Sequence, residues 1–353
     1  MFASSGTTEL PGLEAAPPAA KPVPEHWKEL GQSKRLMLFS GRSHPELAGR
    51  IADRLGIELG EVTLKTFADG ETYCRFEESV RGADLFIVQT GSEPVDRHLM
   101  ELLIMIQAAK LASAKRVTAV IPWFPYSRQD KKSAPREPIT AKMIADFLEA
   151  AGVDRVLTMD LHAGQIQGFF SIPVDHMTAL PLFAQYYRDN GLSGDRVVAV
   201  APDPGRGKMT TRFAEFLESD VAYMSKTRPE HDVAEVTEVV GRDRVKGKAA
   251  ILSDDLIVTG STLISGTEAL LEAGATEVYA CATHALFPDA ALAKLGESRL
   301  TEIVVTDTVP IDRLAKPENV TVLSVARLLA DTVQNVFSGE SVSQIFAGEN
   351  QLF

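Results

Sequence analysis

The chain has 353 residues, 45% of them hydrophobic and 24% charged, with 36 Lys and Arg against 48 Asp and Glu for a net charge of −12. That length allows two domains, each burying its own core, and the composition is that of a soluble globular protein. The acidic balance argues against a general nucleic-acid or membrane-surface role, so an anionic ligand needs local devices: helix N-termini, a few Arg and Lys, or a divalent cation.

Residues 1–33 are rich in Pro, Ala, Ser and Gly and are expected to be a disordered extension. From Arg35 onward the pattern alternates. Strands are expected at Leu36–Phe39, Val62–Phe67, Thr72–Phe76, Leu85–Gln89 and Val117–Pro122, with helices at Pro45–Leu55 and Arg97–Leu111. Pro138 reads as the first-turn proline of a further helix that Gly152 closes. Short β-branched or small apolar runs follow at Val156–Met159, Val197–Ala201, Ala249–Leu252 and Val278–Thr283, separated by helical patterns at Ala179–Tyr187, Lys208–Leu217 and Thr262–Ala273. This rhythm implies an α/β protein with doubly wound, mostly parallel sheets. The segments AKRVTAVIPWF and ATEVYACATHALF read as equivalent strands of two related halves, with a boundary near Asp175–Leu180. Cys74 and Cys281 sit in apolar or strand-like runs and read as core fillers of a reducing compartment. No apolar run reaches the roughly 18 residues of a membrane span, and a cytoplasmic protein is expected.

In open α/β sheets ligands bind beyond the carboxyl ends of strands, and the chemistry-bearing residues fall there. The stretch AAILSDDLIVTGSTL runs from a strand through Asp254 and Asp255 to Thr259, Gly260, Ser261 and Thr262 at a helix start. Small and hydroxyl-bearing residues at a helix N-terminus can close round a phosphate, and adjacent carboxylates can accept from sugar hydroxyls or hold Mg2+. An ordinary strand, cap and helix would look much the same. Asp69 and Glu71 flank Gly70 in what could equally be a solvated hairpin. Arg128 and Gln129 could grip a polyphosphate and a purine edge, and Asp160 and His162 form a workable metal–nucleotide pair. In APDPGRGKMTTRF, Asp203 precedes a turn without Walker spacing, since Pro202 stands where the first glycine belongs. Lys226 and Arg228, in SKTRPEH, are either an exposed charged loop or two cations that land on a reacting phosphate.

Taken together, FADGETYCRFEESVRG, MELLIMIQAAKLASAKRVTAVIPWFPYSRQDKK, ITAKMIADFLEAAGVDRVLTMDLHAGQIQGFF, SDDLIVTGST and GESVSQIF resemble the class I ribose-phosphate pyrophosphokinases from about Arg35 to Phe353. Phosphoribosyltransferases share only the Asp254–Thr262 loop. The resemblance implies two phosphoribosyltransferase-like (type I) domains at 34–177 and 178–336, with 337–353 returning to the first, and dimers within a hexamer. It implies transfer of the diphosphoryl group of MgATP to ribose 5-phosphate. Phe67, Asp69, Glu71, Arg128, Gln129 and His162 would bind ATP, the first three of them from a neighbouring subunit. Asp254, Asp255 and Thr259–Thr262 would hold ribose 5-phosphate, and His162, Asp203, Asp160 and Asp175 would position Mg2+. Lys226 and Arg228 would stabilise the transferring group, and Ser79, Arg81, Arg136 and Ser341 would form a phosphate/ADP effector site. The chain departs from the family pattern at Val258, Ser261, Ser171, the PGRGK run after Asp203, and Ser133–Pro135. A non-catalytic homologue that co-assembles with an active synthetase is the alternative, against which Lys226, Arg228, His162, Asp254 and Asp255 are all retained.

Overall fold

The computed structural model describes residues 35–227, 236–311 and 316–342. The expected disordered extension, Arg228 and most of the C-terminal segment lie outside them.

The first half builds a five-stranded, fully parallel sheet in the order β1(Leu36–Ser40), β4(Asp84–Val88), β5(Arg116–Ile121), β6(Arg155–Met159) and β7(Val174–Met177). Its strands are almost wholly buried, as runs covered on both faces must be. A separate antiparallel hairpin, β2(Val62–Thr66) and β3(Thr72–Phe76), packs on α2(Val95–Leu111). Alternate residues divide the sheet. Met37, Phe39, Leu85, Ile87, Val117 and Ala119 share a core with α2 and α3(Thr140–Ala151), whereas Leu36, Leu38, Phe86 and Val88 share one with α1(Pro45–Leu55). The α1 boundaries are those read from sequence: Pro45 lies in the first turn, His44 Nδ1 accepts from the Leu47 N–H, and Gly56 ends the helix at φ +66°. The first-turn reading of Pro138 is corrected. The helix starts at Thr140 after the N-cap Ile139, so the proline lies outside it, although Gly152 does close it at φ +101°.

The second half forms a seven-stranded sheet in the order β10(Val236–Val240), β9(Asp220–Thr227), β8(Val197–Ala201), β11(Ala249–Ile257), β12(Glu277–Ala285), β13(Glu302–Thr306) and β14(Val320–Leu323). All neighbours are parallel except the β9–β10 hairpin. The helices are α4(Leu180–Asp189), α5(Gly207–Leu217), α6(Arg242–Val245), α7(Ser261–Glu272), α8(Asp289–Gly296) and α9(Ala326–Ser338). One apolar cluster runs from the first sheet through α1, α4, α5 and α9 to Val197, Ala199 and Ile251 of the second. α9 packs on α1 of the first half. Asp307 fixes that docking, accepting from Arg50 of α1 at 2.8 Å and from the Val325 N–H at the start of α9 at 2.8 Å.

Buried polar contacts close the seam between the halves. His284 of β12 reaches the Met159 and Asp160 carbonyls at 3.1 and 3.2 Å through Nε2 and Thr308 Oγ1 at 2.9 Å through Nδ1, and its ring lies 4.6 Å from that of Trp123. The Leu161 N–H donates to His176 Nε2 at 2.8 Å, which requires that nitrogen unprotonated. Burial pushes both imidazoles down to about 4. Unfolded, each titrates near 6.5, so the unfolded chain gains protons that the fold refuses and stability is lost as pH falls from about 6.5 towards 4. Burial pushes the Asp160 carboxyl up, an effect of opposite sense, so the informative comparison is with His176→Asn. That variant is expected to lose less melting temperature between pH 7 and 4 than the wild type in calorimetric scans.

Candidate functional site

The second sheet starts at β8 and runs one way to β9 and β10 and the other way to β11 and beyond, which makes the β8–β11 gap a topological switch point. Two acidic segments open onto it. After β8, Asp203 Oδ1 accepts from the Gly205 and Arg206 N–H groups at 2.7 and 3.2 Å, closing the tight turn Pro204–Arg206 that launches α5. β11 extends to Ile257, beyond the expected Leu252, so Asp254 and Asp255 belong to the strand end itself. From the first sheet, the segment after β6 brings in His162.

Arg206 joins these pieces. Its Nε lies 3.1 Å from Asp254 Oδ1, and its Nη2 lies 2.8 Å from Asp255 Oδ1 and 2.8 Å from His162 Nδ1. Its Nη1 donates to the His162 carbonyl at 3.2 Å. Asp255 Oδ2 sits 2.7 Å from His162 Nδ1, which donates to the carboxylate when it carries a proton and accepts from the guanidinium when it does not. Burial pushes Asp254 well up, and the charge of Asp255 beside it adds to the rise. Burial works on Asp255 as well, but the His162 hydrogen bond and the Arg206 charge outweigh it and hold that carboxyl below the usual range. Within the pair, Asp255 is the carboxyl better stabilised in its ionised form.

Two cavities meet here. The smaller, about 210 Å³, is walled by the 254–260 segment together with Thr262 and Leu263; the larger, about 610 Å³, by Asp130, Lys131, Asp160–Gln165 and Lys208 among others. Arg128, His162, Asp203, Arg206 and Asp255 line both. The positive φ of the phosphate-type loop falls on Gly260, at +71°, where an added Cβ would stand 2.6 Å from Leu295 Cδ2. Ser261 is the first residue of α7, so the serine departure imposes no left-handed strain. Ser261 Oγ lies 3.0 Å from Thr259 Oγ1.

Residues 36–152 match the family model described as the N-terminal domain of ribose phosphate pyrophosphokinase, and residues 230–347 match the phosphoribosyl synthetase-associated domain. The chain is 50% identical over 311 residues to a ribose-phosphate pyrophosphokinase of Caldanaerobacter subterraneus, covering 88% of this chain and 98% of that one. It is 48% identical over 309 residues to the enzyme so named in Fusobacterium nucleatum, covering 88% and 97% respectively. The chain belongs to the ribose-phosphate pyrophosphokinase family. The crystal structure of phosphoribosylpyrophosphate synthetase from Mycobacterium smegmatis superposes with a TM-score of 0.81 at 45% identity, covering 86% of this chain and 99% of that one. The architecture is accordingly the two-domain, phosphoribosyltransferase-like fold of that family.

The remaining residues singled out by that family pattern are dispersed. Phe67, Asp69 and Glu71 crown the β2–β3 hairpin, where Phe67 is 51% exposed and the Glu71 N–H donates to Asp69 Oδ1 at 3.1 Å; they line neither cavity. Gln129 also lines neither, because its amide oxygen accepts from Thr140 at the start of α3. Asp175 also lines neither cavity; its carboxylate pairs with Arg155 at 2.5 Å between β6 and β7. Asp160 borders the larger cavity, but its Oδ2 is taken by the Ala179 N–H and the Thr283 hydroxyl, which makes it a tie between elements. Lys226 stands in β9, in register with Thr237 of β10. Ser79, Arg81, Arg136 and Ser341 are exposed on three separate connections. Arg206 went unpredicted as a site residue. Substituting Gly260→Ala is expected to cost about 1–2 kcal/mol from the left-handed backbone, with the Leu295 clash added. Ser261→Ala should stay within about 0.5 kcal/mol, and urea melts of the two variants check where the strain lies.

Proposed function

We propose that the smaller cavity holds ribose 5-phosphate, with Asp254 and Asp255 accepting from its ring hydroxyls and the Thr259–Thr262 turn taking its phosphate, while the larger holds the triphosphate of ATP. The chain is a ribose-phosphate diphosphokinase: the C1 hydroxyl of ribose 5-phosphate attacks the β-phosphorus of ATP, giving 5-phosphoribosyl 1-diphosphate and AMP. One observation supports this use of the cavities above the others, namely that five side chains wall both at once. Direct transfer needs the two substrates side by side, and alignment with charge neutralisation is most of what such a reaction asks of a protein. Among the described residues no three acidic, His or Cys side chains gather into a metal cage. A hard cation carried in by the phosphates needs only one or two protein donors, and Asp203 and His162 would supply them. Mg2+ so bound would neutralise phosphate charge. Arg128 would grip the triphosphate, and Phe67, Asp69 and Glu71, exposed on their hairpin, would meet adenine across a subunit contact of a hexamer built from dimers. Ser79, Arg81, Arg136 and Ser341 would form an interface site for phosphate or ADP. No helix among the described residues is long and apolar enough to cross a membrane, and a cytoplasmic setting suits these substrates.

Lys226 and Arg228 would meet the transferring diphosphoryl group. Lys226→Ala is expected to lose about a hundredfold or more in turnover while still binding ATP, the scale of removing one transition-state donor. AMP release from ATP with and without ribose 5-phosphate, followed alongside ATP binding by calorimetry, checks this. Ribose-independent or absent AMP release by the wild type would overturn the function, and unchanged turnover in the variant would remove Lys226 from the mechanism. Chelation by EDTA should abolish AMP release, and added Mg2+ should restore it.

A further inference from the structure

The side chain of Arg206 is only 15% exposed, and its guanidinium is held by both carboxylates of the Asp254–Asp255 pair and by the His162 carbonyl. Both oxygens of Asp255 are engaged, one by Arg206 and one by His162. Asp254 Oδ1 already takes Arg206 Nε and the Asp255 N–H. Vicinal hydroxyls of a furanose donate to just such carboxylate oxygens, so the sugar and the guanidinium seek the same acceptors. Arg206 also lies on the shared wall of the two cavities, at the end of a short turn, with a long side chain able to swing towards either.

We propose that Arg206 is an internal rival of the sugar, filling the Asp254–Asp255 pair until ribose 5-phosphate displaces it, and thereby sets the affinity for that substrate. This rests on the reading of Asp254 and Asp255 as the sugar carboxylates. An arginine in this place does two things at once. It neutralises two adjacent acids that would otherwise repel each other in a half-enclosed cleft, and it sets a threshold that only a ligand with several donors, anchored by its phosphate on the Thr259–Thr262 turn, can overcome. A sugar lacking the phosphate pays the displacement without the anchor.

The test is calorimetric titration of ribose 5-phosphate into the intact protein without nucleotide, for the wild type, Arg206→Ala, Arg206→Gln and Asp254→Asn, with melting curves to establish that each is folded. Both Arg206 variants are expected to bind ribose 5-phosphate about tenfold more tightly, which corresponds to about 1.4 kcal/mol. Asp254→Asn should bind it more weakly. A purely structural arginine would lower the melting temperature without tightening sugar binding. Unchanged or weaker binding in the Arg206 variants, with Asp254→Asn still weakened, overturns the rivalry while leaving the sugar site in place. Should Asp254→Asn bind as the wild type does, the sugar-site reading fails, and the rivalry with it.

Discussion

The meeting of the two halves turns on the carboxyl group of Asp160. It follows the last residue of β6 in a left-handed backbone conformation, φ +32°, that costs a non-glycine residue free energy. The conformation persists because Asp160 Oδ2 is fixed from two directions, by the Ala179 N–H at the entry to α4 and by the Thr283 hydroxyl of β12. Its other oxygen is buried without a hydrogen-bond partner, and burial pushes the carboxyl up against the opposing pull of the Thr283 and Ala179 donors. The turn made here sends the chain out of the first sheet, and two residues later His162 reaches Asp255 of the second. His284 pins the same junction from the other side through the Met159 and Asp160 carbonyls.

The cleft that results is acid-lined in an acidic protein, yet the ligands proposed for it are anions. Positive charge reaches it from Arg128, Lys131, Arg206 and Lys208, drawn from the connection after β5, the turn after β8 and the first turn of α5. Burial raises Asp254, while His162 and Arg206 outweigh burial at Asp255 and hold it down, so neighbouring carboxyls of the same strand end are pushed in opposite directions. Such asymmetry suits a site that must accept hydroxyl donors in one place and stay charged in another.

Much of this was legible in the sequence. Runs such as VVAVA and the Pro45–Leu55 helix, with a proline at its start and a glycine after its end, carry their structure locally, and the strand, acid pair and small-residue turn of Ala249–Leu263 advertised the smaller cavity. What was not legible depends on which strands become neighbours. Arg206 meets Asp254 and Asp255 because β8 lies beside β11, a pairing that chain order does not dictate. Asp175 pairs with Arg155 because β6 and β7 lie side by side, a relation the chain order does not show. Pro138 misled because a proline ahead of a helix and one in its first turn look alike without the dihedrals. Whether Ser261 strains the phosphate-type loop likewise needed the backbone, which assigns the left-handed position to Gly260.

The docking of α9 on α1 has a consequence for biosynthesis. α9 lies far along the chain from α1, so a nascent polypeptide emerging from the ribosome cannot complete this contact until both halves have been translated. Leu47, Ile51 and Leu55 of α1 belong to the apolar cluster that α9 completes. A product truncated before α9 would lack that part of the cluster and expose apolar surface of the kind chaperones and proteases recognise.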